Sequence, residues 1–376
     1  MYLRSESWSL VRNAPQFLQP KRFVGMSYII IPTPHSGQIW SNCSRHLPLG
    51  YALTISCQHP KLFIDGNSLN TNESGAVSKS MTEKLVLAGP ASEELGRKVA
   101  EKLGLSLLKS EFKVFPDGET RFSSEEKVTG KSVFLVQSTY PPVDTHLFQL
   151  LLASHHLSQE GARVTAVVPY LAYARQDKVF LPGEGVTLGV VAHLMRSVGV
   201  RRLVTVDIHS AEGLSLFSFP VYSVSAIPTL AEYAKSELDL SDPVVISPDF
   251  GGSRRTEAFA QLFGARFLQL SKKRDRVSGS VKLKDARLEV EGKEVIIVDD
   301  IISTGGTICA AAEAVQKQGA KAVLAVCVHG LFVGDALEKL QEVGVKTIVE
   351  TNTVPGQFSK VDVSDALVAH LKTLDE

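Results

Sequence analysis

From residue 81 onward the sequence predicts an α/β fold of two similar domains, each a mostly parallel sheet flanked by helices. Three observations predict it. Short Val-, Ile- and Leu-rich runs alternate with longer amphipathic ones, the pattern of strands buried on both faces beneath crossover helices. Several apolar runs end in polar clusters, which is where open parallel sheets bind their ligands. The length, 376 residues, exceeds a single ordinary domain of about 100 to 200 residues.

Taken in chain order, residues 84–89 form the first strand-like run, just after Met81. Further strands are expected over 132–137, 164–169, 203–208, 244–247, 294–298 and 322–328, each rich in Val, Ile or Leu. Helices are expected over 145–159, 187–198, 229–238, 255–263, 307–318 and 336–343, the last two closed by Gly319 and Gly344 in the manner of C-terminal caps. A boundary at 225–228 divides the chain into domains 81–226 and 227–376, with the last helix packing back on the first domain. The halves show no exact sequence repeat.

Lysine plus arginine (40) equals aspartate plus glutamate (40), so no global field draws the protein to nucleic acid or to an anionic membrane. An anionic ligand must therefore be held locally. Cys43, Cys57, Cys309 and Cys327 form no CxxC pair, which argues against a disulfide scaffold or a zinc site and suits a reducing, cytoplasmic setting. The apolar run at 24–31 is far shorter than the roughly 20 residues of a membrane helix. Residues 1–80 are serine- and proline-rich, basic and without sustained periodicity. They are expected to be an extension outside the mature protein, with Met81 as its start; the alternative is an organelle-targeting presequence.

The segment from Val298 to Thr307, VDDIISTGGT, carries the sharpest chemistry. It runs from a hydrophobic strand through two carboxylates and a small turn into a helix. Ser303, Thr304, Gly305, Gly306 and Thr307 present backbone N–H groups at a helix N-terminus, where the dipole alone favours an anion by about 0.3 to 1 kcal/mol. Asp299 and Asp300 cannot bind that same phosphate. They must face hydrogen-bond donors or a metal ion, and sugar hydroxyls meet that need. The string lacks the lysine of a GxxxxGK[ST] loop and the GxGxxG of a dinucleotide fold. A phosphorylated sugar is the expected ligand.

Four more segments carry candidate site residues. FPDGETR at 115–121 sets Asp117 and Glu119 around Gly118, a way to offer carboxylates to an adenine amino group or a ribose. YARQD at 173–177 follows a strand, so Arg175 can reach a triphosphate while Gln176 reads a base edge. DIH at 207–209 and SPDFGG at 247–252 place His209 and Asp249 at two strand ends, which suits Mg²⁺ held by one or two protein groups plus substrate phosphates. SKKRDR at 271–276 is a cationic cluster at a strand exit.

In this order and spacing the segments resemble the ribose-phosphate pyrophosphokinases over essentially all of 81–376. VDDIISTGGT and VHGLFV at 328–333 look most like the archaeal-type branch of that family. The resemblance implies two phosphoribosyltransferase-like domains and transfer of the diphosphoryl group of ATP to the 1-hydroxyl of ribose 5-phosphate. It implies that Asp117, Gly118, Glu119, Arg175 and Gln176 hold ATP, and that His209 and Asp249 bind Mg²⁺. Lys272 and Arg274 match the mobile catalytic loop, Arg274 also touching the sugar phosphate, and Asp299, Asp300 and residues 303–307 hold ribose 5-phosphate. A homo-oligomer with the ATP site near a subunit contact is implied as well.

One departure and one ambiguous ligand leave alternatives open. Where many relatives read DKRR this chain has SKKR at 271–274, so Lys273 and Arg276 stand beside the two expected catalytic cations. Asp207 either joins the metal site or orients His209 from behind. Rival readings are a type I phosphoribosyltransferase, which carries only the Asp299 motif on one domain, and a catalytically silent subunit of a synthetase.

Overall fold

The computed structural model describes residues 82–249, 251–270 and 288–374, with the backbone of 272–274 and 281–283. The expectations for residues 1–80 and for Met81 as a start fall outside the described residues. β1 (Lys84–Ala88) leads through α1 (Glu93–Leu103) to β2 (Ser106–Leu107). An antiparallel hairpin of β3 (Ser110–Val114) and β4 (Thr120–Ser124) follows. Then come β5 (Ser132–Val136), α2 (Val143–Gln159), β6 (Arg163–Val168), α3 (Thr187–Ser197), β7 (Val200–Val206) and β8 (Val221–Val224).

Past α4 (Ile227–Glu237) the plan starts again with β9 (Pro243–Ser247), α5 (Ser253–Phe263) and β10 (Arg266–Gln269). A second antiparallel hairpin, β11 (Lys272–Arg274) and β12 (Val281–Leu283), occupies the same place in the order. β13 (Glu294–Ile302), α6 (Gly306–Gln316), β14 (Ala322–Gly330), α7 (Ala336–Glu342), β15 (Val345–Thr351), β16 (Ser359–Val361) and α8 (Ser364–Leu371) complete it. The strands form two six-stranded sheets ordered β2-β1-β5-β6-β7-β8 and β10-β9-β13-β14-β15-β16. Every neighbouring pair in both is parallel.

The alternation of apolar side chains explains the layers. Leu85 and Leu87 of β1 point to an outer core shared with α2 and α3, whereas Val86 points the other way. The corresponding inner face of the second sheet, Val245, Ile296, Val298, Val326 and Val349, joins the same inner core as Val86, Phe134, Val136, Val167 and Val204. Each fully buried Val or Leu contributes about 1.5 to 3 kcal/mol relative to exposure, so this inner core is a strong bond between the sheets. Helix α8 packs there too, through Leu367 and Leu371, and its Asp365 pairs with Lys102 of α1 at 2.8 Å. No helix among the described residues is long and apolar enough to cross a membrane.

The register matches the two halves rung by rung, although they share no exact sequence repeat. The ladder Leu87–Leu135–Ala166–Leu203 crosses the first sheet where Ile246–Ile297–Ala325–Ile348 crosses the second. Counting onward from these rungs, Asp299 and Asp300 are equivalent to Gln137 and Ser138, His329 to Tyr170, Asp207 to Asn352, and His209 to Val354. The same turn is built at both strand ends: Asp207 Oδ2 accepts the Ala226 N–H at 2.6 Å, and Asn352 Oδ1 accepts the Val363 N–H at 2.9 Å. The equivalent rings of Tyr170 and His329 meet edge to face with centroids 5.1 Å apart.

His329 closes the seam between the sheets. Its Nε2–H donates to the Val206 carbonyl at 3.1 Å and its Nδ1 meets the Thr353 hydroxyl at 2.8 Å. Burial pulls its imidazole down from the ordinary 6.5 to about 4. A depressed base of this kind contributes stability that is present above pH 6.5 and lost as the pH falls toward 4, an effect of about 3 kcal/mol at 1.36 kcal/mol per unit. Buried Glu350 works in the opposite sense, since burial raises its carboxyl from 4.5 to about 7 and its contribution falls as the pH rises through that window. The two offset one another, so their joint contribution to urea-unfolding stability is expected to be nearly flat between pH 4.5 and 6.5. Glu350→Gln removes one arm and should expose the loss on acidification that His329 causes; an equally flat profile in the variant would contradict this.

Candidate active site

The carboxyl ends of the two sheets face one cleft. β13 runs to Ile302, four residues past its expected end, because Ile301 and Ile302 go on pairing with His329 and Gly330 of β14. Asp299 and Asp300 are therefore strand residues, 8% and 5% exposed, rather than acids in a solvated loop. Two buried carboxylates side by side require partners.

Asp300 has them from both halves. Its Oδ2 accepts His209 Nδ1 at 2.7 Å and pairs with Arg255 Nη1 at 3.0 Å. Arg255 extends the bridge by donating from Nη2 to the Ile208 and His209 carbonyls at 3.2 and 3.3 Å. Burial alone would raise Asp300, but the His209 bond and the Arg255 guanidinium outweigh it and hold the carboxyl well below the usual range. An ionised Asp300 can only accept, so the proton in that bond is carried by His209 Nδ1, and Nε2 is the ring nitrogen that Asp300 does not engage. Asp299, by contrast, is pushed well up by burial and by the charges of Asp300 and Asp249, and its Oδ1 accepts the Asp300 N–H at 2.9 Å.

Asp249 lies at the start of α5, where its Oδ1 accepts the Gly252 N–H at 2.9 Å. A Cβ on Gly252 would sit 3.5 Å from Asp249 Oδ1 and 3.9 Å from Asp299 Oδ1, so the two carboxylates flank this glycine. Asp207, left open between two roles, turns its carboxylate to Ala226 and Ser225 and not to His209. Ser303 to Thr307 form the turn into α6, with Thr304 and Gly306 exposed and Gly305 at φ 76°. A Cβ on Gly305 would also lie 3.4 Å from the Ala336 carbonyl, so the turn requires glycine there. The turn is strapped from behind. Leu331 N–H donates to the Ile302 carbonyl at 2.8 Å, and Val333 N–H to the Ser303 carbonyl at 2.9 Å.

The cleft, about 770 Å³, is lined by Arg175, Lys178, His209, Arg254 and Arg255 with Asp177 and Glu212, a wall with more cations than acids and suited to phosphates; Asp249, Asp299, Asp300 and the 303–307 turn are not among its lining residues. Gln176 turns its amide to the Gly185 carbonyl at 3.3 Å and so orders the 180–185 loop. Asp117, Gly118 and Glu119 sit exposed at the tip of the β3–β4 hairpin and are absent from the residues lining the cleft. Lys272 and Arg274 lie on β11; their side chains, and Ser271, Asp275 and Arg276, fall outside the described residues. Sequence reasoning missed Arg255, Arg254 and Lys178. The signal for Arg255 was its place in the first turn of the helix after SPDFGG.

A second cleft of similar size, about 810 Å³, lies at the amino ends of β9, β10 and β13. Its charges are paired among themselves, Lys293 with Asp242 and Arg266 with Glu289, so it offers little to a charged substrate. As to a metal, no cluster of three or more His, Cys, Asp or Glu side chains able to hold an ion occurs among the described residues. The donors His209 Nε2 and Asp249 fit only an ion that keeps water or substrate oxygens in its shell, as magnesium does.

Comparison with known proteins agrees with this architecture. Residues 84–199 match the N-terminal domain of ribose phosphate pyrophosphokinase, and residues 223–362 match the phosphoribosyl transferase domain. A ribose-phosphate pyrophosphokinase of Sulfurisphaera tokodaii is 39% identical over 283 residues, covering 75% of this chain and 97% of its own. That of Aquifex aeolicus is 36% identical over 282 residues, covering 74% and 90%. The crystal structure of phosphoribosylpyrophosphate synthetase from Mycobacterium smegmatis superposes with a TM-score of 0.70 at 30% identity, over 77% of this chain and 98% of the other. With two matching sheets, a charged cleft between their carboxyl ends and relatives matched over nearly their whole length, the chain belongs to the ribose-phosphate pyrophosphokinase family.

Proposed function

We propose that the chain joins ATP and ribose 5-phosphate to give 5-phospho-α-D-ribose 1-diphosphate and AMP, for nucleotide biosynthesis in the cytoplasm. The observation that carries the reading is the bridge His209–Asp300–Arg255, which ties both sheets together beside the 303–307 turn. The turn takes the 5-phosphate on backbone N–H groups of α6, and Asp299 takes the sugar hydroxyls. Asp300, occupied on Oδ2, fixes the ring of His209 while its other oxygen can reach the sugar. Arg175 and the Lys178–Arg254 wall receive the triphosphate, and Asp117, Gly118, Glu119 and Gln176 receive the adenosine end. The exposed position of the hairpin tip supports an ATP site completed by a neighbouring copy in a homo-oligomer.

Magnesium bound through His209 Nε2 and Asp249 would neutralise charge on the diphosphoryl group. The protein needs no covalent intermediate, because phosphoryl-type transfer is governed by alignment and charge. The 1-hydroxyl oxygen attacks the β-phosphorus in line, the α,β bridging bond breaks, and AMP leaves. Lys272 and Arg274 draw over the transferred group as the β11–β12 hairpin closes.

A single-domain transferase is disfavoured by the second sheet and by the match of residues 84–199. The full chain mixed with Mg²⁺, ATP and ribose 5-phosphate should release AMP only when the sugar phosphate is present. Binding of both ligands with no AMP formed would favour a silent subunit instead.

A further inference from the structure

Among the described residues Glu350 is the one carboxylate-bearing residue with none of its surface exposed, and the proposed reaction has no use for it. It lies at the carboxyl end of β15, with 0% of its surface exposed. Its Oε1 accepts the Ser359 hydroxyl at 3.2 Å. The Gly330 and Phe358 amides are drawn toward the carboxylate, yet Oε2 has no hydrogen-bond partner among the described residues. The packing around it is close: a Cβ on Gly330 would fall 1.6 Å from Oε2 and 2.4 Å from the Phe332 ring, and one on Gly356 would fall 2.7 Å from Oε1. Gly330 and Gly356 are thus the residues that make room for this side chain.

What stands on Glu350 is the strap behind the phosphate turn. Gly330 leads directly into Leu331, Phe332 and Val333, whose amides hold the Ile302 and Ser303 carbonyls. Phe332 has φ 41°, a backbone conformation a phenylalanine adopts only when its surroundings impose it, and its ring packs on Phe358 with centroids 5.6 Å apart. Glu350 therefore supports a strained segment that in turn fixes Ser303, the first residue of the 5-phosphate turn.

We propose that Glu350 is a positioning residue for ribose 5-phosphate: its neutral carboxyl wedges the Gly330–Val333 strap in place, and its ionisation loosens the strap and weakens binding of the sugar phosphate. The Ser359 hydroxyl and the Gly330 and Phe358 amides donate toward it and favour the ionised form, but burial outweighs them. β14 offers the buried Cys327 thiol, β16 offers the Ser359 hydroxyl, and residues 330–334 offer backbone and the Phe332 ring. The net effect of burial is to raise its carboxyl to about 7. The inference rests on the proposed reading of the 303–307 turn as the 5-phosphate site.

The test compares wild type with Glu350→Gln, which keeps volume and neutrality. KM for ribose 5-phosphate and for ATP is measured between pH 6 and 8.5, with direct calorimetric titration of ribose 5-phosphate at each pH. One pH unit above the midpoint only about one tenth of the carboxyl is neutral, so the wild-type KM for the sugar phosphate should rise about tenfold between pH 6 and 8 relative to the variant. KM for ATP should follow the same course in both proteins. Superimposable ribose 5-phosphate profiles in two active proteins would overturn the role of Glu350. A wild type that neither turns over nor binds ribose 5-phosphate at any pH would overturn the reading of the turn and the inference with it. Thermal unfolding of Glu350→Gln at pH 6 shows whether a weak variant is misfolded; in that case Glu350→Asp, titratable but too short to fill the wedge, should give a high KM with a reduced pH response, and a wild-type profile in it overturns the proposal.

Discussion

Arg255→Ala is expected to lower kcat by at least about 100-fold, a loss of roughly 2.7 kcal/mol in the transition state. The side chain is 22% exposed and its partner Asp300 is 7% exposed, so removing the guanidinium leaves a buried carboxylate with His209 as its remaining partner. Breaking a buried pair in this way costs about 3 to 5 kcal/mol in general. Here part of the cost falls on function, because the same guanidinium pins the Ile208 and His209 carbonyls and thereby the ring that presents Nε2 to the cleft. Arg255→Lys can still meet Asp300 but cannot fork to both carbonyls, and should fall between alanine and wild type. Steady-state kinetics with urea unfolding in parallel checks this. A kcat within threefold of wild type in a folded Arg255→Ala protein would mean that the bridge between the sheets does not serve the reaction.

Lys272→Ala should abolish most turnover, about 10³-fold, while the dissociation constant for ATP changes by less than threefold. A charge that meets the substrate only when a loop closes acts on the transition state more than on the ground state, and removing such a stabiliser costs about 2.7 to 4 kcal/mol. β11 pairs Lys272 with Leu283 in a hairpin that takes the place of β3–β4 in the duplicated plan, so the lysine lies on a two-stranded ribbon that belongs to neither six-stranded sheet. Equilibrium ATP binding together with single-turnover rates separates the two effects. Equal losses in binding and turnover would place Lys272 in the ground-state ATP site.

The α/β class was legible in the sequence because strands buried on both faces read as continuous apolar runs, and the runs leading to β5, β6, β9 and β14 are of that kind. Helix α1 was missed: its EELGRKVAEKL buries only Leu95, Gly96, Val99 and Ala100, a narrow stripe in a charged helix. The strand β15, VKTIVET, was hidden by its Lys and Glu, although Glu350 turns out to be buried. The two similar halves were expected, but their residue-by-residue equivalence was not legible because the equivalent positions keep burial and not chemistry: Asp300 against Ser138, His209 against Val354. Of the site, the VDDIISTGGT turn was legible since strand, turn and helix are contiguous. The bridge from Arg255 to Asp300 and His209 was not, because its bonds join residues 45 to 91 positions apart. Periodicity carries no information on such pairs.

In the proposed reaction the sugar's own 1-hydroxyl oxygen attacks the β-phosphorus of ATP within the cleft between the two sheets. Ribose 5-phosphate labelled with ¹⁸O at the 1-hydroxyl, incubated with the full chain, Mg²⁺ and ATP, tests it most directly by ³¹P NMR and mass spectrometry. The label should be retained between C1 and the β-phosphorus of the product, with none in AMP. Product without the label, or labelled ribose 5-phosphate recovered unchanged beside hydrolysed ATP, would contradict it.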